Sequence, residues 1–205
     1  MNYIGIDFSL NSPGMVIRTP DELHWRSFAN NVKINNKPFR YHKMFQEKIP
    51  NFLLHEYNRD KSKNYSENEV LKIDSAHRIS DLIMSEIVNW SPCAIGFEGY
   101  SYGSKGNSLI DIVTYTSIVR SDIRRILPEA PFHVFSPTEV KKRAGKGNLN
   151  KWGMLEAFLK EEIDDPMLQV LKDEQEEVFK LKDIPNPIPD LVDAYWVSLL
   201  LLESN

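Results

Sequence analysis

The first apolar run of the chain ends on a single carboxylate. Tyr3, Ile4 and Ile6 form a short strand-like pattern that stops at Asp7, and a buried strand ending on an aspartate presents that acid at the rim of a sheet. Many α/β proteins begin with such a strand. Asp7 therefore becomes informative about fold and chemistry only if other acids reach the same place.

Two further strands are predicted directly after the first. Residues Gly14–Arg18 follow the turn-rich segment 11–13, as in a hairpin, and residues 24–29 follow a second turn. The three strands are expected to be successive and antiparallel. Residues 30–65 are polar and aromatic, and they are predicted to leave the sheet and to contain a short helix at about 44–54.

Length and composition are those of an ordinary globular chain. The sequence has 205 residues, of which 41% are hydrophobic and 26% charged, so a single domain is expected. The chain has one cysteine, Cys93, and a single cysteine excludes a disulfide framework and a cysteine zinc site. Cys93 is expected to be a buried thiol. No run approaches the roughly 18 apolar residues of a membrane span, and the N-terminus lacks the basic region of a signal peptide. We therefore expect a soluble cytoplasmic protein with no membrane partner.

The net charge of −4 is unevenly distributed along the chain. Between Glu156 and Glu177 there are nine acids and two lysines, whereas the segment from Lys141 to Lys151 holds five bases and no acid. Binding to phosphates depends on the local density of Lys and Arg rather than on the total charge. The overall negative charge therefore does not exclude a nucleic-acid partner.

A long helix leads into a second strand that ends on an acid. Residues 66–90 begin with a Ser-x-x-Glu capping box and then keep an apolar face. Residues 93–98 are predicted to form a buried strand that ends on Glu98. Glu98 therefore occupies the same structural situation as Asp7.

A glycine-rich aromatic loop follows this strand. Residues 99–107 include Tyr100, Tyr102 and Lys105. Glycines let a backbone approach a phosphate closely and tyrosines can stack on bases, but a solvated surface loop has the same composition, so both interpretations stay open. A helix is predicted to follow over residues 108–126.

The next segment combines a strand, a helix cap and a basic cluster. Residues 132–135 are predicted to be a strand, and Ser136 with Glu139 forms a capping box with Pro137 at the first helical position. The basic residues of this segment are Lys141, Lys142, Arg143, Lys146 and Lys151. A flexible Gly-Lys-Gly turn among these bases suits contact with nucleic acid or another anion. A solvated basic face is an equal alternative.

Two further acids begin the closing helix. An acidic helix is predicted over residues 166–181, and a proline-rich connector leads from it to Asp190 and Asp193. Residues three apart share one face of a helix. Capping explains Asp190 but not Asp193, so the pair suggests carboxylates directed at a common ligand.

These acids form a constellation that suits divalent metal ions. Asp7 and Glu98 end strands, and Asp190 and Asp193 begin a helix. Hard divalent cations take carboxylate ligands, and two-metal phosphodiester cleavage uses acids that bridge ions about 3.5–4 Å apart. The order of the elements matches an α/β ribonuclease H-like fold, with a mixed five-stranded sheet (three antiparallel strands, then two parallel) flanked by helices.

Four short blocks resemble, in this order, the RuvC-type Holliday junction resolvases, especially their divergent phage and viral members. The blocks are Ile4-Gly5-Ile6-Asp7 with Gly14, Ile95-Gly96-Phe97-Glu98 with its loop, Ser136 to Lys142 with Gly145-Lys146-Gly147, and Pro189-Asp190-Leu191-Val192-Asp193-Ala194. The blocks are spread over most of the chain. The ordered set is more specific than any block by itself.

The resemblance implies a metal-dependent endonuclease that nicks branched DNA, usually as a symmetric homodimer. Its substrates would be four-way junctions, and flaps or Y-forks, and its cofactor would be Mg²⁺ or Mn²⁺ with two ions per site. Carried over by motif, the catalytic and metal-binding acids are Asp7, Glu98, Asp190 and Asp193. The implied DNA-binding residues are Tyr100, Tyr102, Lys105, Lys141, Lys142, Arg143, Lys146 and Lys151. The helix from Ser108 is the expected dimer face.

The sequence also departs from the family pattern. The usual Asp-Pro-Gly after the first strand is Asp7-Phe8-Ser9 here, and insertions are expected at about residues 30–65 and 160–187 of a single domain spanning residues 1–205. No expected ligand is lost. Two alternatives stay open: an actin-like or sugar-kinase-like phosphotransferase, for which 205 residues are few, and a non-catalytic nucleic-acid-binding module, which would gain from losing acids near phosphates.

Overall fold

One mixed sheet forms the centre of the protein. The computed structural model describes residues 1–30, 39–100 and 107–204. The strands are β1 (Tyr3–Asp7), β2 (Gly14–Arg18), β3 (Leu23–Asn30), β4 (Phe52–Tyr57), β5 (Ala94–Glu98) and β6 (Phe132–Phe135). Their order in the sheet is β4-β3-β2-β1-β5-β6. The first three are antiparallel neighbours, whereas β4 pairs parallel with β3, β5 with β1, and β6 with β5.

Helices cover both faces of this sheet. They are α1 (Arg40–Lys48), α2 (Tyr65–Trp90), α3 (Asn107–Ile126), α4 (Pro137–Ala144), α5 (Lys151–Leu159), α6 (Pro166–Asp173), α7 (Gln175–Phe179) and α8 (Ile188–Ser204). One apolar core joins α2 and α3 to the sheet, and it includes Ile4, Ile6 and Tyr115. A second core on the other face joins α8 to α4, α5 and α6, and it includes Trp25 and Phe158. Within the described part of the chain, no helix has both the length and the hydrophobicity to cross a bilayer.

The α/β fold class with a mixed sheet is confirmed, and the described sheet has one strand more than predicted. The additional strand, β4, lies where the second half of a helix at about 44–54 was predicted, because α1 ends at Lys48. Phe52 begins β4 opposite Trp25 of β3, whose backbone N–H donates to the Asn51 carbonyl over 2.9 Å. Edge pairing of this kind depends on a distant strand, so the local pattern does not show it.

Two other helix boundaries differ from the sequence pattern. The cap of α2 is Asn64, whose side chain accepts from the Glu67 backbone N–H, whereas Ser66 was the predicted cap. The acidic helix predicted over residues 166–181 is divided at Glu174 into α6 and α7. The predicted capping box of Ser136 and Glu139 is present at α4.

Two glycines let α8 lie directly on the sheet. A Cβ atom at Gly14 would be 2.7 Å from the Leu191 nitrogen, and one at Gly5 would be 3.0 Å from the Cα of Ser198. Real Cβ atoms do not approach a backbone so closely, so any side chain at either position would push the helix away. The contact brings the first turn of α8 over the end of β1, where Asp7 lies.

Candidate metal centre

The acids that end β1 and β5 lie side by side. These strands are parallel neighbours with Ile6 opposite Phe97, so Asp7 and Glu98 emerge at the same edge of the sheet. Asp193 reaches them from α8. Carboxylate oxygens of Asp7, Glu98 and Asp193 all lie within 4.8 Å of one another.

The fourth acid, Asp190, is buried near the start of α8. Its Oδ2 accepts a 2.7 Å hydrogen bond from Ser9 Oγ, and it lines the same cleft as Asp7, whose pKa its charge raises. Asp190 therefore lies next to the three-acid group and is held by the turn after β1. The sequence pattern gives Ser9 no role at the site, and only its position two residues after Asp7 could have indicated one.

The four acids repel one another in a poorly hydrated place. Burial raises the pKa of Asp7 well above its ordinary value, and repulsion from Glu98, Asp190 and Asp193 raises it further. Burial and repulsion from Glu98 and Asp190 likewise raise the pKa of Asp193. Burial is also the main cause that raises the pKa of Glu98 to about 7 and that of Asp190 to about 6. Full ionisation at neutral pH therefore requires positive charge at the site.

Two lysines supply part of that charge from a distance. Lys151, at the start of α5, lines the same cleft as the acids, and its charge lowers the pKa of each of them against the effect of burial. Lys141 on α4 acts in the same direction on Glu98 and Asp193. The lysines offset the combined effect of burial and repulsion only in part, because the net pKa shifts remain upward.

The acids open into a cleft of ≈ 300 Å³. Helix α3 contributes Leu109, Ile112 and Thr116 to its lining, and Tyr100, just after β5, lines it as well. The cleft thus combines a charged end with an apolar wall. Such a wall limits the access of water and strengthens the electrostatic interactions of the acids.

This donor set fits a hard divalent cation. All of its donors are carboxylate oxygens, which Mg²⁺ and Mn²⁺ prefer. Oε2 of Glu98 is buried and has no hydrogen-bond partner among the residues that the structure describes. Leaving such an oxygen unpaired is costly, and a bound cation would satisfy it. The residues therefore fit the metal that the family resemblance implies.

Two solved structures match this architecture over nearly the whole chain. RuvC from Thermus thermophilus gives a TM-score of 0.50 at 15% sequence identity, covering 97% of this chain and 92% of that chain. T. thermophilus RuvC in complex with a Holliday junction substrate gives a TM-score of 0.51 at 13% identity, covering 97% of this chain and 90% of that chain. This chain has a RuvC-like fold.

The likeness to RuvC is visible in three dimensions and not in overall sequence similarity. No protein-family model matches the sequence, and no curated protein matches it significantly. In its RuvC-like fold, three of the four acids predicted as ligands meet directly, and the fourth is adjacent.

The lysine and arginine side chains predicted to contact DNA occupy two different environments. Lys142 and Lys146 are exposed on α4 and in the turn after it, and Lys141 lies closer to the acids. Arg143 instead faces α8, where its Nε is 2.8 Å from Oε1 of Glu203 and its guanidinium lies over the Trp196 ring. The DNA-binding role of these residues stays a prediction, as does that of Tyr102 and Lys105, which lie outside the described residues.

Arg120 on α3 is a neighbour of the site that the sequence pattern did not indicate. One of its terminal nitrogens donates to the Glu98 carbonyl over 3.1 Å. Its guanidinium carbon is 5.1 Å from the ring centre of Phe97 and 5.0 Å from that of Tyr100. Arg120 therefore connects α3 to the end of β5 and to the aromatic residue that lines the cleft. An arginine among apolar helical positions carries no local signal of such a contact.

Proposed function

We propose that this protein is a divalent-metal-dependent endonuclease that nicks branched DNA and resolves four-way junctions by hydrolysis of phosphodiester bonds. The observation that carries the proposal is the convergence of Asp7, Glu98 and Asp193 within 4.8 Å at one edge of a RuvC-like sheet. Such an activity serves DNA recombination and repair, in the cytoplasm of a bacterial or phage-infected cell.

The four acids would hold Mg²⁺ or Mn²⁺, two ions in the arrangement that the resemblance implies. Bound there, these ions supply charge stabilisation for the phosphoryl oxygens and a nucleophile from water at neutral pH. Ser9 orients Asp190 through the 2.7 Å hydrogen bond, and Arg120 fixes the end of β5 through the Glu98 carbonyl. The wall from α3 limits competing water around the reacting phosphate.

The lysines would bind the DNA backbone beside the acids. Lys151 lines the cleft and Lys141 acts electrostatically on Glu98, so both would attract a phosphate to the reacting position. Lys142 and Lys146 extend the positive surface outward. Tyr100 lines the same cleft and would stack on an unpaired base at the branch point.

A homodimer would place two such sites on one junction. Helix α3, the expected dimer face, exposes Ile110 and Val113, and Val70 and Ile73 are exposed on α2, which packs against it. Contiguous apolar surface on adjacent helices is typical of protein interfaces, and these four side chains are the candidates for such a surface. A four-way junction is resolved by two symmetric nicks, which a twofold pair of sites would supply.

A non-catalytic binding module of the same fold is disfavoured by the electrostatics of the cleft. Four mutually repelling acids weaken phosphate binding, and burial of Glu98, whose pKa is raised to about 7, costs folding free energy at neutral pH. A module that only bound DNA would bind phosphates more tightly and fold more stably without these acids.

The test is a cleavage assay on labelled duplex, flap, Y-fork and four-way DNA with Mg²⁺, Mn²⁺ or EDTA. We expect paired symmetric nicks on the four-way substrate that require the metal ion. Equal cutting of duplex would indicate a general nuclease, and binding of all substrates without any cutting would contradict the proposed activity.

A further inference from the structure

A second group of buried polar side chains lies behind the metal centre. His42 of α1, Ser12 in the turn after β1 and Ser27 of β3 are all at most 1% exposed. Nε2 of His42 is 2.9 Å from Ser12 Oγ, and Ser12 Oγ is 3.2 Å from Ser27 Oγ. Buried polar groups of this kind are retained for a structural or functional reason.

This group connects to the metal centre through two further hydrogen bonds. The backbone N–H of Ser12 donates to Ser9 Oγ over 3.1 Å, and Ser9 Oγ donates to Asp190 Oδ2 over 2.7 Å. A serine hydroxyl has one hydrogen. Because Ser9 Oγ accepts the hydrogen bond from the Ser12 N–H, the single hydrogen of the Ser9 hydroxyl is directed towards Asp190.

The hydrogen-bonded series starts in α1, inside the segment predicted to be an insertion. Tyr41 and Phe45, on either side of His42 in α1, are buried in an apolar core, so the imidazole is held in place by packing. Tyr57 of β4 also reaches the turn, where its hydroxyl donates to the Leu10 carbonyl over 3.2 Å. The insertion thus contacts the turn that follows Asp7 from two elements.

His42 acts here as a neutral hydrogen-bonding group. Burial lowers its pKa to about 4, and its Nδ1 has no hydrogen-bond partner among the described residues. The tautomer with its proton on Nε2 leaves no N–H without a partner. In that tautomer His42 donates to Ser12 Oγ, and the Ser12 hydroxyl donates to Ser27.

We infer that His42 is a positioning residue for Asp190, acting through Ser12 and Ser9. The inference rests on the proposed function, since it concerns a carboxylate proposed as a metal ligand. The family's Asp-Pro-Gly turn is replaced here by Asp7-Phe8-Ser9, and in this chain the hydroxyl of Ser9 and the insertion helix together orient the acid. Residues that orient ligands typically change metal affinity about 10- to 100-fold when they are removed.

The test measures Mn²⁺ affinity by calorimetric titration of the protein without DNA. We expect His42→Leu to weaken Mn²⁺ binding about tenfold and His42→Gln, whose amide can donate from a position near Nε2, to restore most of it. The matched control is Ile49→Ala, a buried truncation about two turns further along the chain, at the C-terminal end of α1, that touches no hydrogen bond of the series. We expect its Mn²⁺ affinity to stay within about twofold of the original.

A double-mutant cycle separates positioning from general destabilisation. If His42 acts through Ser9, then His42→Leu should cause no further loss of Mn²⁺ affinity in a Ser9→Ala background. Additive losses, or equal losses in His42→Leu and Ile49→Ala, would overturn the inference. If the unaltered protein binds Mn²⁺ but cuts no branched DNA, only the proposed function fails, and the cycle still decides the role of His42. Absence of Mn²⁺ binding by the unaltered protein would overturn both.

Discussion

Two buried clusters of charged groups are built in opposite ways. On the α2 side of the sheet, Glu86 accepts a 2.6 Å hydrogen bond from Arg26 Nε and lies 2.9 Å from Nε2 of His55. Burial by itself would raise its pKa, but the hydrogen bonds from His55 and Arg26 lower the pKa of Glu86 to about 2. At the candidate metal centre burial outweighs the nearby lysines, and the pKa of Glu98 rises to about 7.

The difference separates a structural ion pair from a binding site. Glu86 has the Arg26 guanidinium and the His55 imidazole within hydrogen-bonding distance, so its ionised form is stabilised by the fold. Glu98 is buried beside other acids, and the nearest lysines offset the effect of burial on its pKa only in part. A fold that maintains an uncompensated cluster sacrifices stability for a ligand that brings the missing charge.

The largest effect is expected from removing an acid of the uncompensated cluster. Asp7→Asn or Glu98→Gln should reduce four-way junction cleavage by about 10³-fold or more, because metal binding supplies several kcal/mol of transition-state stabilisation. Junction binding should stay the same or improve, since a negative charge near the phosphates is lost. Cleavage rates and gel-shift affinities measure the two effects. Glu156→Gln, an exposed acid on α5, is the control, and full cleavage by both acid variants would remove these residues from the metal centre.

Removing Glu86 from its ion pair with Arg26 should lower the stability of the protein without changing its cleavage activity. Glu86→Ala leaves the buried Arg26 without its partner and should lower the free energy of unfolding by about 3 kcal/mol. Denaturant unfolding measures this change, and Asp81→Asn, an exposed acid of α2, should stay within about 0.5 kcal/mol of the original. Cleavage by the folded Glu86→Ala protein should be retained. A stability change as small as that of the control would show that the ion pair is not structural.

The metal-free protein should become less stable as the pH rises from about 4.5 towards 7. In that window the unfolded chain ionises Glu98 while the folded protein still holds the proton, so the unfolded state is favoured. Glu98→Gln should remove part of this slope and stabilise the metal-free protein at pH 7.5 by about 1–2 kcal/mol. Thermal unfolding in EDTA across this pH range tests the slope, and Mn²⁺ should reduce it. Identical slopes for both proteins would contradict the raised pKa of Glu98.

The smallest effect is expected from the lysines that partly offset the acids. Lys141→Ala should weaken junction binding a few-fold and lower the slope of log affinity against log salt by about one. Lys172→Ala, an exposed lysine of α6, should leave the slope unchanged. Affinities measured between low and moderate salt provide the comparison. An unaltered slope for Lys141→Ala would indicate that this lysine serves only to moderate the acids.

Much of the fold and the outline of the site could be predicted from local patterns. Strand ends and a helix start indicated Asp7, Glu98 and Asp193, because strand pairing brings the ends of parallel strands to one edge. The pairing of β4 could not be predicted, since an edge strand is defined by its partner. The roles of Ser9 and His42 could not be predicted for a similar reason, because their hydrogen bonds depend on how the turn after β1 packs against α1 and α8.

The direct contact of α8 with Gly5 and Gly14 fixes the distance between the two backbones that carry the acids. Asp190 and Asp193 belong to one helix, and main-chain contact rather than side-chain packing sets its separation from β1. The backbone of α8 therefore cannot move closer to the strand, and a change in the size of a bound cation would be accommodated by the acid side chains.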